Sequence, residues 1–373
     1  MCGRSDVGLG HVCVSDSCRR YHDADAIAII EAFAETSASH GADTRGRVAE
    51  LCSGGALDVA TEPILILTGA PPASAVNAQQ SLTIRVRAAV SDYWALTKPE
   101  VNFLIVIATF TGFYLANPGQ LGHFPLQLLV HTLLGTLMVA SGTGTLNQYI
   151  ERRFDARMRR TARRPLAAGR LKPSVVLGFG VALSVVGSTY LAIAVNALAS
   201  ALAIVTLLSY LFLYTPLKRK TPLCVLVGAF PGAVPPLIGW AAASDKLSLQ
   251  AWLLYATLFL WQLPHFMSIA WMYRDDYDRA GYFMLPRDKA RVRFVTLQTI
   301  VPLLVLLPVS LLSTSAGRPG VFYRDGALLL SLGFLVCGVR FVLCRSSAAA
   351  RRLLIVSISY LPLVFLLLVI DKI

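Results

Sequence analysis

The sequence has 373 residues, of which 55% are hydrophobic and only 15% charged, with a mean hydropathy of +0.61. An average soluble domain has about 25% charged residues, so the composition excludes an ordinary soluble protein and places most of the chain in a lipid bilayer. The net charge of +13 sits mainly between apolar stretches, which is typical of membrane topology, and we expect no nucleic-acid partner.

The first part of the chain differs in composition from the rest. Residues 1–99 contain eight basic and eleven acidic residues, whereas residues 100–373 contain 26 basic and ten acidic ones. A mitochondrial transit peptide is rich in arginine and poor in acids, but residues 1–50 carry five arginines and eight acids. We predict a poorly structured N-terminal extension over residues 1–92, followed by a transmembrane domain over residues 93–373.

Nine apolar stretches follow the extension, each near the length of about 20 residues that a membrane-spanning helix needs. We expect an all-α, polytopic membrane protein with nine transmembrane helices. Acidic residues and arginines follow both the second and the sixth stretch, so we infer two four-helix halves plus a ninth helix. The predicted spans are residues 101–117, 125–148, 174–194, 197–214, 222–243, 250–273, 295–313, 326–343 and 352–370.

Lysine and arginine alternate between the connections. The connections after the second, fourth, sixth and eighth stretches are rich in both, and those after the first and third contain neither. Only Lys246 follows the fifth stretch, and Arg318 and Arg324 follow the seventh. The positive-inside rule places the basic connections in the cytoplasm. We therefore expect a bacterial plasma membrane with the N-terminus and the active site cytoplasmic, and the mitochondrial inner membrane is the alternative.

The second apolar stretch ends in a polar segment in which Asn147, Glu151 and Asp155 recur every four residues. Four residues rotate a helix by about 40°, so the three side chains share one face. Five arginines then precede Pro165. Carboxylates and arginines at a membrane boundary are costly unless they bind something. A divalent cation that carries a phosphate is a ligand that needs both charge signs.

A second acidic group follows the sixth stretch, as Asp275, Asp276 and Asp278. Its bunching leaves open which acid meets a metal; we favour Asp276 and then Asp275. Magnesium is typically bound by one or two carboxylates, with water and substrate phosphate in its other positions. Two such acidic groups facing each other would hold Mg²⁺, so Asn147, Glu151, Asp155 and Asp276 are the candidate catalytic residues. The predicted metal ligands are Asn147, Glu151, Asp155, Asp275 and Asp276.

The segment over residues 147–166, N-x-x-x-E-x-x-x-D-A-x-M-x-R-T-x-x-R-P-L, resembles the first signature of the UbiA-type intramembrane prenyltransferases. Its glutamate and its R-T-x-x-R-P-L end are similar to the protohaem IX farnesyltransferase branch of that family. L-T-K-P-E at residues 96–100, Y-T-P-L-K-R at 214–219 and W-Q-L-P-H-F at 261–266 also resemble this branch. The resemblance covers about residues 92–370.

This resemblance implies Mg²⁺ as the cofactor and transfer of the farnesyl group of farnesyl diphosphate to the 2-vinyl group of haem b, with addition of water. The products would be haem O and diphosphate, and haem b would be a substrate instead of a permanent cofactor. Haem A synthase or terminal oxidase assembly factors are the implied protein partners. Basic residues would bind the diphosphate, and His265 would contact or position the haem. The predicted substrate-binding residues are Arg160, Arg163, Arg164, Lys218, Arg219, His265, Asp275 and Tyr277.

Two other functions fit parts of this pattern. A related prenyltransferase with a quinone-ring or another tetrapyrrole acceptor would share the acidic residues, but Glu151 and the segment around His265 disfavour it. A secondary transporter for an organic anion would also carry intramembrane charges. Transporter sites lie near the bilayer midplane, whereas these charges cluster at one face.

Overall fold

The computed structural model describes residues 73–117, 124–286, 290–312 and 320–372. Helix α1 (Ala73–Leu96) begins within the segment that we expected to be poorly structured. The rest of that prediction, on residues 1–72, lies outside the described residues. All regular secondary structure within the described ranges is helical.

The protein is a multi-pass membrane protein. Within the described ranges, nine helical segments are long and apolar enough to cross a membrane, as the sequence predicts. The fifth of these crossings is a pair of shorter helices, and a short helix, α9 (Arg274–Ala280), follows the sixth. The crossings are α2 (Pro99–Ala116), α3 (Leu126–Asp155), α4 (Pro173–Ala194), α5 (Ala197–Leu217), α6 (Cys224–Gly232) with α7 (Pro235–Ser244), α8 (Leu249–Met272), α10 (Ala290–Leu312), α11 (Val321–Cys344) and α12 (Ser347–Lys372).

Helix α3 is longer than a bilayer is thick. Its 30 residues extend about 45 Å at 1.5 Å per residue, whereas the hydrocarbon core measures about 30 Å. The predicted apolar stretch therefore continues as one helix into the polar segment. Asn147, Glu151 and Asp155 are 1%, 5% and 3% exposed, so the face that they share packs inward.

Helix α5 ends in a wide turn. Ser209–Tyr214 is π-helical, and the Thr215 backbone N–H donates to the Tyr210 carbonyl, five residues earlier. Pro216 has no N–H, and its ring crowds the carbonyl four residues before it, which disfavours a regular α-helical turn there. Such π-turns are frequent at functional sites. This one brings Thr215 against α3.

Helices α2 and α7 approach each other closely because glycine stands at their contact. A Cβ atom on Gly239 would lie 1.9 Å from the Thr109 carbonyl oxygen, and one on Gly112 would lie 2.1 Å from the Pro236 carbonyl oxygen. Small residues allow this approach between membrane helices. The contact fixes the second half of the fifth crossing against the first crossing.

The crossings agree with the expected two four-helix halves plus a ninth helix. Helices α2 to α5 pack against one another in sequence order. In the second half α6 packs on α8, α8 on α10 and α10 on α11, while α7 also packs on α2 of the first half. The ninth crossing, α12, packs on α8 and α11 of the second half and on α2 of the first.

Candidate active site

Three polar contacts join the end of α3 to the start of α2 and the end of α5. The Lys98 ammonium donates to Asn147 Oδ1 at 3.0 Å, and Asn147 Nδ2 donates to Thr215 Oγ1 at 3.2 Å. The Lys218 Nζ atom lies 2.8 Å from Glu151 Oε1. These contacts place the start of α2, the end of α3 and the end of α5 at the same end of the helix bundle, as the charge pattern predicts.

The segment after α3 folds back over its last turn. Thr161 Oγ1 donates to the Asp155 backbone carbonyl at 2.9 Å. Arg164 Nη1 lies 2.7 Å from Asp155 Oδ2. A predicted diphosphate-binding arginine is thereby paired with a predicted metal ligand.

Asp275 and Asp276, the two acids after the sixth crossing that we favoured as metal ligands, differ in burial and in their contacts. Asp276 is 8% exposed, and its Oδ1 lies 2.5 Å from Arg279 Nη2. Its Oδ2 accepts from the Arg160 backbone N–H at 3.4 Å, which ties α9 to the segment after α3. The Asp275 side chain is 83% exposed and lies 3.6 Å from Arg274. The structure therefore brings Asp276, and not Asp275, to the group around α3.

The remaining basic residues predicted to bind diphosphate have other contacts. The Arg160 guanidinium donates to the Tyr277 hydroxyl at 3.4 Å. Arg219 lies over the Phe154 ring, 4.5 Å from its centroid. Arg163 is exposed, and its backbone carbonyl accepts from an arginine further along the same segment. The side chains of Arg160 and Arg219 thus contact aromatic residues that neighbour Asp276 and Asp155 in the sequence.

His265 lies about two turns before the end of α8, and the contacts of its side chain are with residues outside this group. Its Nδ1 is 2.8 Å from Ser357 Oγ, and its ring stacks on Trp261 with centroids 4.9 Å apart. Trp261 Nε1 in turn donates to the Ser357 carbonyl at 2.7 Å. The ring is held by α12 through Nδ1, which leaves Nε2 as the nitrogen that can meet a ligand.

Lys98 is a site residue that the sequence reasoning did not assign. It belongs to the L-T-K-P-E motif, and a lysine directly before an apolar span was the available signal. Its backbone is left-handed, with φ of 54°, a conformation that costs free energy in a non-glycine residue and is found at functional sites. This conformation precedes Pro99, where α2 begins.

The pKa values of two partly buried lysines, Lys98 and Lys218, shift in opposite directions in this environment. Burial, together with the nearby cations Arg164 and Lys218, lowers the pKa of Lys98 to about 7. Burial also acts to lower the pKa of Lys218, but the Glu151 carboxylate outweighs it and holds the pKa well above its ordinary value. Lys218 therefore stays protonated beside the Glu151 carboxylate.

Tyr282, in the loop after α9, is a second residue that sequence reasoning missed. Its ring packs on Phe154 with centroids 5.6 Å apart, and the residue is 4% exposed. Its hydroxyl is buried and makes no hydrogen bond of normal geometry in the part of the chain that the structure describes. Burial and the nearby Glu151 carboxylate raise its pKa above the ordinary value. The hydroxyl is a donor that a bound anion can use.

The oxygen atoms of this group suit a hard divalent cation. Asn147, Glu151, Asp155 and Asp276 offer only amide and carboxylate oxygens and are all buried. Among the residues with described positions, no three histidine, cysteine or acidic side chains come close enough to form a metal site by themselves. Mg²⁺ prefers oxygen ligands of this kind and keeps water or takes substrate phosphate in its other positions.

Comparisons with known proteins identify relatives of the chain. A family model described as the UbiA prenyltransferase family matches residues 105–366. A protein named Protoheme IX farnesyltransferase from Solibacter usitatus (strain Ellin6076) is 47% identical over 287 residues, covering 75% of this chain and 98% of that protein.

Two solved structures share the fold. One, reported for digeranylgeranylglyceryl phosphate synthase, has a TM-score of 0.61 at 15% identity and covers 76% of this chain and 98% of the other. A UbiA homolog from Archaeoglobus fulgidus bound to DMAPP and Mg²⁺ has a TM-score of 0.52 at 14% identity, over 74% of this chain and 99% of the other. At these identities the likeness concerns the fold alone.

Proposed function

The chain belongs to the UbiA prenyltransferase family, and from this premise we propose that it transfers the farnesyl group of farnesyl diphosphate to the 2-vinyl group of haem b. Water is added in the same reaction, which yields haem O and diphosphate for the assembly of haem–copper terminal oxidases. The name of the 47% identical relative supports this acceptor. The observation that carries the chemistry is the buried group of carboxylates and cations at one end of the bundle.

Asn147, Glu151, Asp155 and Asp276 are the side chains that would hold Mg²⁺. When bound, Mg²⁺ supplies positive charge that stabilises a departing diphosphate. The homolog from Archaeoglobus fulgidus, solved with DMAPP and Mg²⁺, supports this requirement. Asp275 is left out of the proposed ligand set because its side chain is 83% exposed.

Basic side chains of the chain bind the diphosphate. Arg164 and Lys218 are the best placed, since each already lies within 2.8 Å of a carboxylate in the group. Arginine can engage two phosphate oxygens at once, while lysine acts as a point charge. Arg160, Arg163 and Arg219 are proposed to contact the outer oxygens.

The reaction balances with water as the third reactant. The bond between the farnesyl C1 atom and the diphosphate oxygen breaks, and both electrons leave with the diphosphate. C1 forms a bond to the terminal vinyl carbon, and the resulting cation takes up water and releases a proton. Apolar packing around the site, such as Phe154 against Tyr282, keeps other water away from the farnesyl cation.

His265 is proposed to contact or position the haem. Its Nδ1 is engaged by Ser357 at 2.8 Å, so Nε2 is the atom available to the haem or its iron. Its position about two turns inside α8 is compatible with an acceptor lying deeper in the membrane than the diphosphate.

We further propose that the polar end of the bundle faces the cytoplasm of a bacterial plasma membrane. The basic connections after the second, fourth, sixth and eighth crossings support this side, and the 47% identical relative is bacterial. The N-terminus is then cytoplasmic as well.

The direct test uses the purified full chain in lipid nanodiscs with farnesyl diphosphate, Mg²⁺ and an equimolar mixture of haem b and 4-hydroxybenzoate. Mass spectrometry of the products should show the hydroxyethylfarnesyl haem and no prenylated benzoate. Prenylated benzoate with unchanged haem would instead establish the quinone-ring alternative.

A further inference from the structure

Every side chain proposed to bind the metal is already engaged by a cationic side chain. The partners come from four different segments: the start of α2, the segment after α3, the end of α5 and α9. The four pairs are Asn147 with Lys98 at 3.0 Å, Glu151 with Lys218 at 2.8 Å, Asp155 with Arg164 at 2.7 Å, and Asp276 with Arg279 at 2.5 Å.

The net charge of these four pairs disfavours binding of a metal ion without an accompanying anion. This set contains three carboxylates and four basic side chains, a net charge of +1 with Lys98 protonated and of zero with Lys98 neutral. A divalent ion alone would add positive charge and would separate a buried ion pair, leaving a cation without its partner. A diphosphate that accompanies the ion offsets the added charge and offers new oxygens to every displaced cation.

The Tyr282 hydroxyl is a further donor beside this set. It is buried among Phe154, Tyr277 and the carboxylates, and its interaction with the Glu151 carboxylate falls short of a hydrogen bond of normal geometry. A phosphate oxygen can accept a hydrogen bond from this hydroxyl, whereas a metal ion cannot.

We propose that four basic side chains occupy the metal-binding oxygens and thereby prevent free divalent ions from binding there. The metal is then bound only as its diphosphate complex. The four basic residues are Lys98, Arg164, Lys218 and Arg279. When the complex binds, each cation exchanges its oxygen partner in the protein for a diphosphate oxygen. Lys98 and Arg279 thereby become positioning residues of the site. The inference rests on the proposed function and adds the order of binding to it.

Equilibrium dialysis of the full chain in lipid nanodiscs tests this order without any turnover. The probe is Mn²⁺, with inorganic diphosphate either absent or present at equal concentration on both sides of the dialysis membrane. The excess Mn²⁺ on the protein side should rise at least about tenfold when diphosphate is present.

A charge-removing variant sharpens the test. Lys218→Met frees the Glu151 carboxylate, so it should raise Mn²⁺ binding without diphosphate and lower the gain that diphosphate gives. Lys220→Met, two residues away and exposed, is the matched control and should behave like the wild type. Arg279→Gln should act in the same direction as Lys218→Met, and it removes a side chain that is 44% exposed instead of 13% exposed, so it disturbs the packing less.

Two outcomes would overturn the inference, and they are distinguishable. Equal Mn²⁺ binding by the wild type with and without diphosphate would refute the order of binding and leave the proposed metal site intact. Mn²⁺ binding under neither condition would contradict the metal site of the proposed function itself.

Discussion

At the scale of single residues, Asp275 and Asp276 show how burial separates two neighbouring acids. Asp276 is buried and bonded to the segment after α3, while the Asp275 side chain is 83% exposed. Asp276→Ala should lower haem O formation at least about a hundredfold, because a group that stabilises developing charge is lost. Asp275→Ala should leave the rate unchanged. Turnover of the two purified variants measures this, and equal losses would contradict the assignment.

His265 can be tested against a matched histidine at another position in the membrane domain. His131, near the start of α3, bonds through Nδ1 to the Tyr190 hydroxyl at 2.5 Å and is not proposed to meet the haem. His265→Ala should weaken haem b binding at least about tenfold, whereas His131→Ala should not. Titration of the haem absorbance without farnesyl diphosphate measures binding apart from turnover. Similar affinities for both variants would remove His265 from the haem site.

The sequence predicted the residues of one helix face but could not predict their partners. Asn147, Glu151 and Asp155 follow from a spacing of four, a property of local helix geometry. The contact of Lys98 with Asn147 joins residues 49 positions apart, and such contacts depend on how helices pack. The position of the Tyr282 hydroxyl near Glu151 is likewise a result of packing.

At the scale of helices, the contact between α2 and α7 makes a sharp stability prediction. Gly239→Ala would place a Cβ atom 1.9 Å from the Thr109 carbonyl oxygen, and overpacking of this kind costs about 1–3 kcal/mol. Gly178→Ala is the matched control, since nothing lies within 4 Å of its added Cβ. It should be neutral or stabilise by up to about 1 kcal/mol.

Thermal unfolding of both glycine variants in detergent gives the measurement. The midpoint should fall clearly for Gly239→Ala and stay level or rise for Gly178→Ala. If both midpoints shifted alike, the close approach of α2 and α7 would be wrong.

Hydropathy predicted the number of crossings but not their internal breaks. The predicted span over residues 222–243 is two helices, Cys224–Gly232 and Pro235–Ser244, and the predicted span over 197–214 continues to Leu217 through a π-turn. The break in the fifth crossing and the π-turn in the fourth both occur at prolines. The effect of a proline depends on whether neighbouring helices satisfy the carbonyls that it leaves without a backbone partner. The mean hydropathy of a stretch does not contain this information.

At the scale of the whole molecule, the side of the membrane is a prediction that chemical labelling can test. Lys246 and Lys220 are both exposed and lie in connections predicted to face opposite sides. In a background without native cysteines, Lys246→Cys should react with a membrane-impermeant maleimide in intact bacterial cells. Lys220→Cys should react only after the membrane is opened. The reverse pattern would invert the proposed orientation.

The bundle brings together residues that the sequence keeps far apart, and the prenyl-transfer site depends on that convergence. Contacts among the start of α2, the end of α3, the end of α5 and α9 place them at one end. Charge alternation predicted that these connections share one side. It could not predict that each carboxylate would form an ion pair with a different basic residue. The charges of the connections determine which side of the membrane they lie on, but not which side chains contact each other.

The central claim is that this buried group at the end of α3 carries farnesyl transfer to haem b. The most direct test is mass spectrometry of haem after incubation of wild-type and Asp155→Ala protein, each shown to be inserted, with haem b, farnesyl diphosphate and Mg²⁺. We predict haem O from the wild type and none from Asp155→Ala, whose carboxylate is 3% exposed and paired with Arg164 in the native chain. Undiminished haem O from Asp155→Ala would contradict the account.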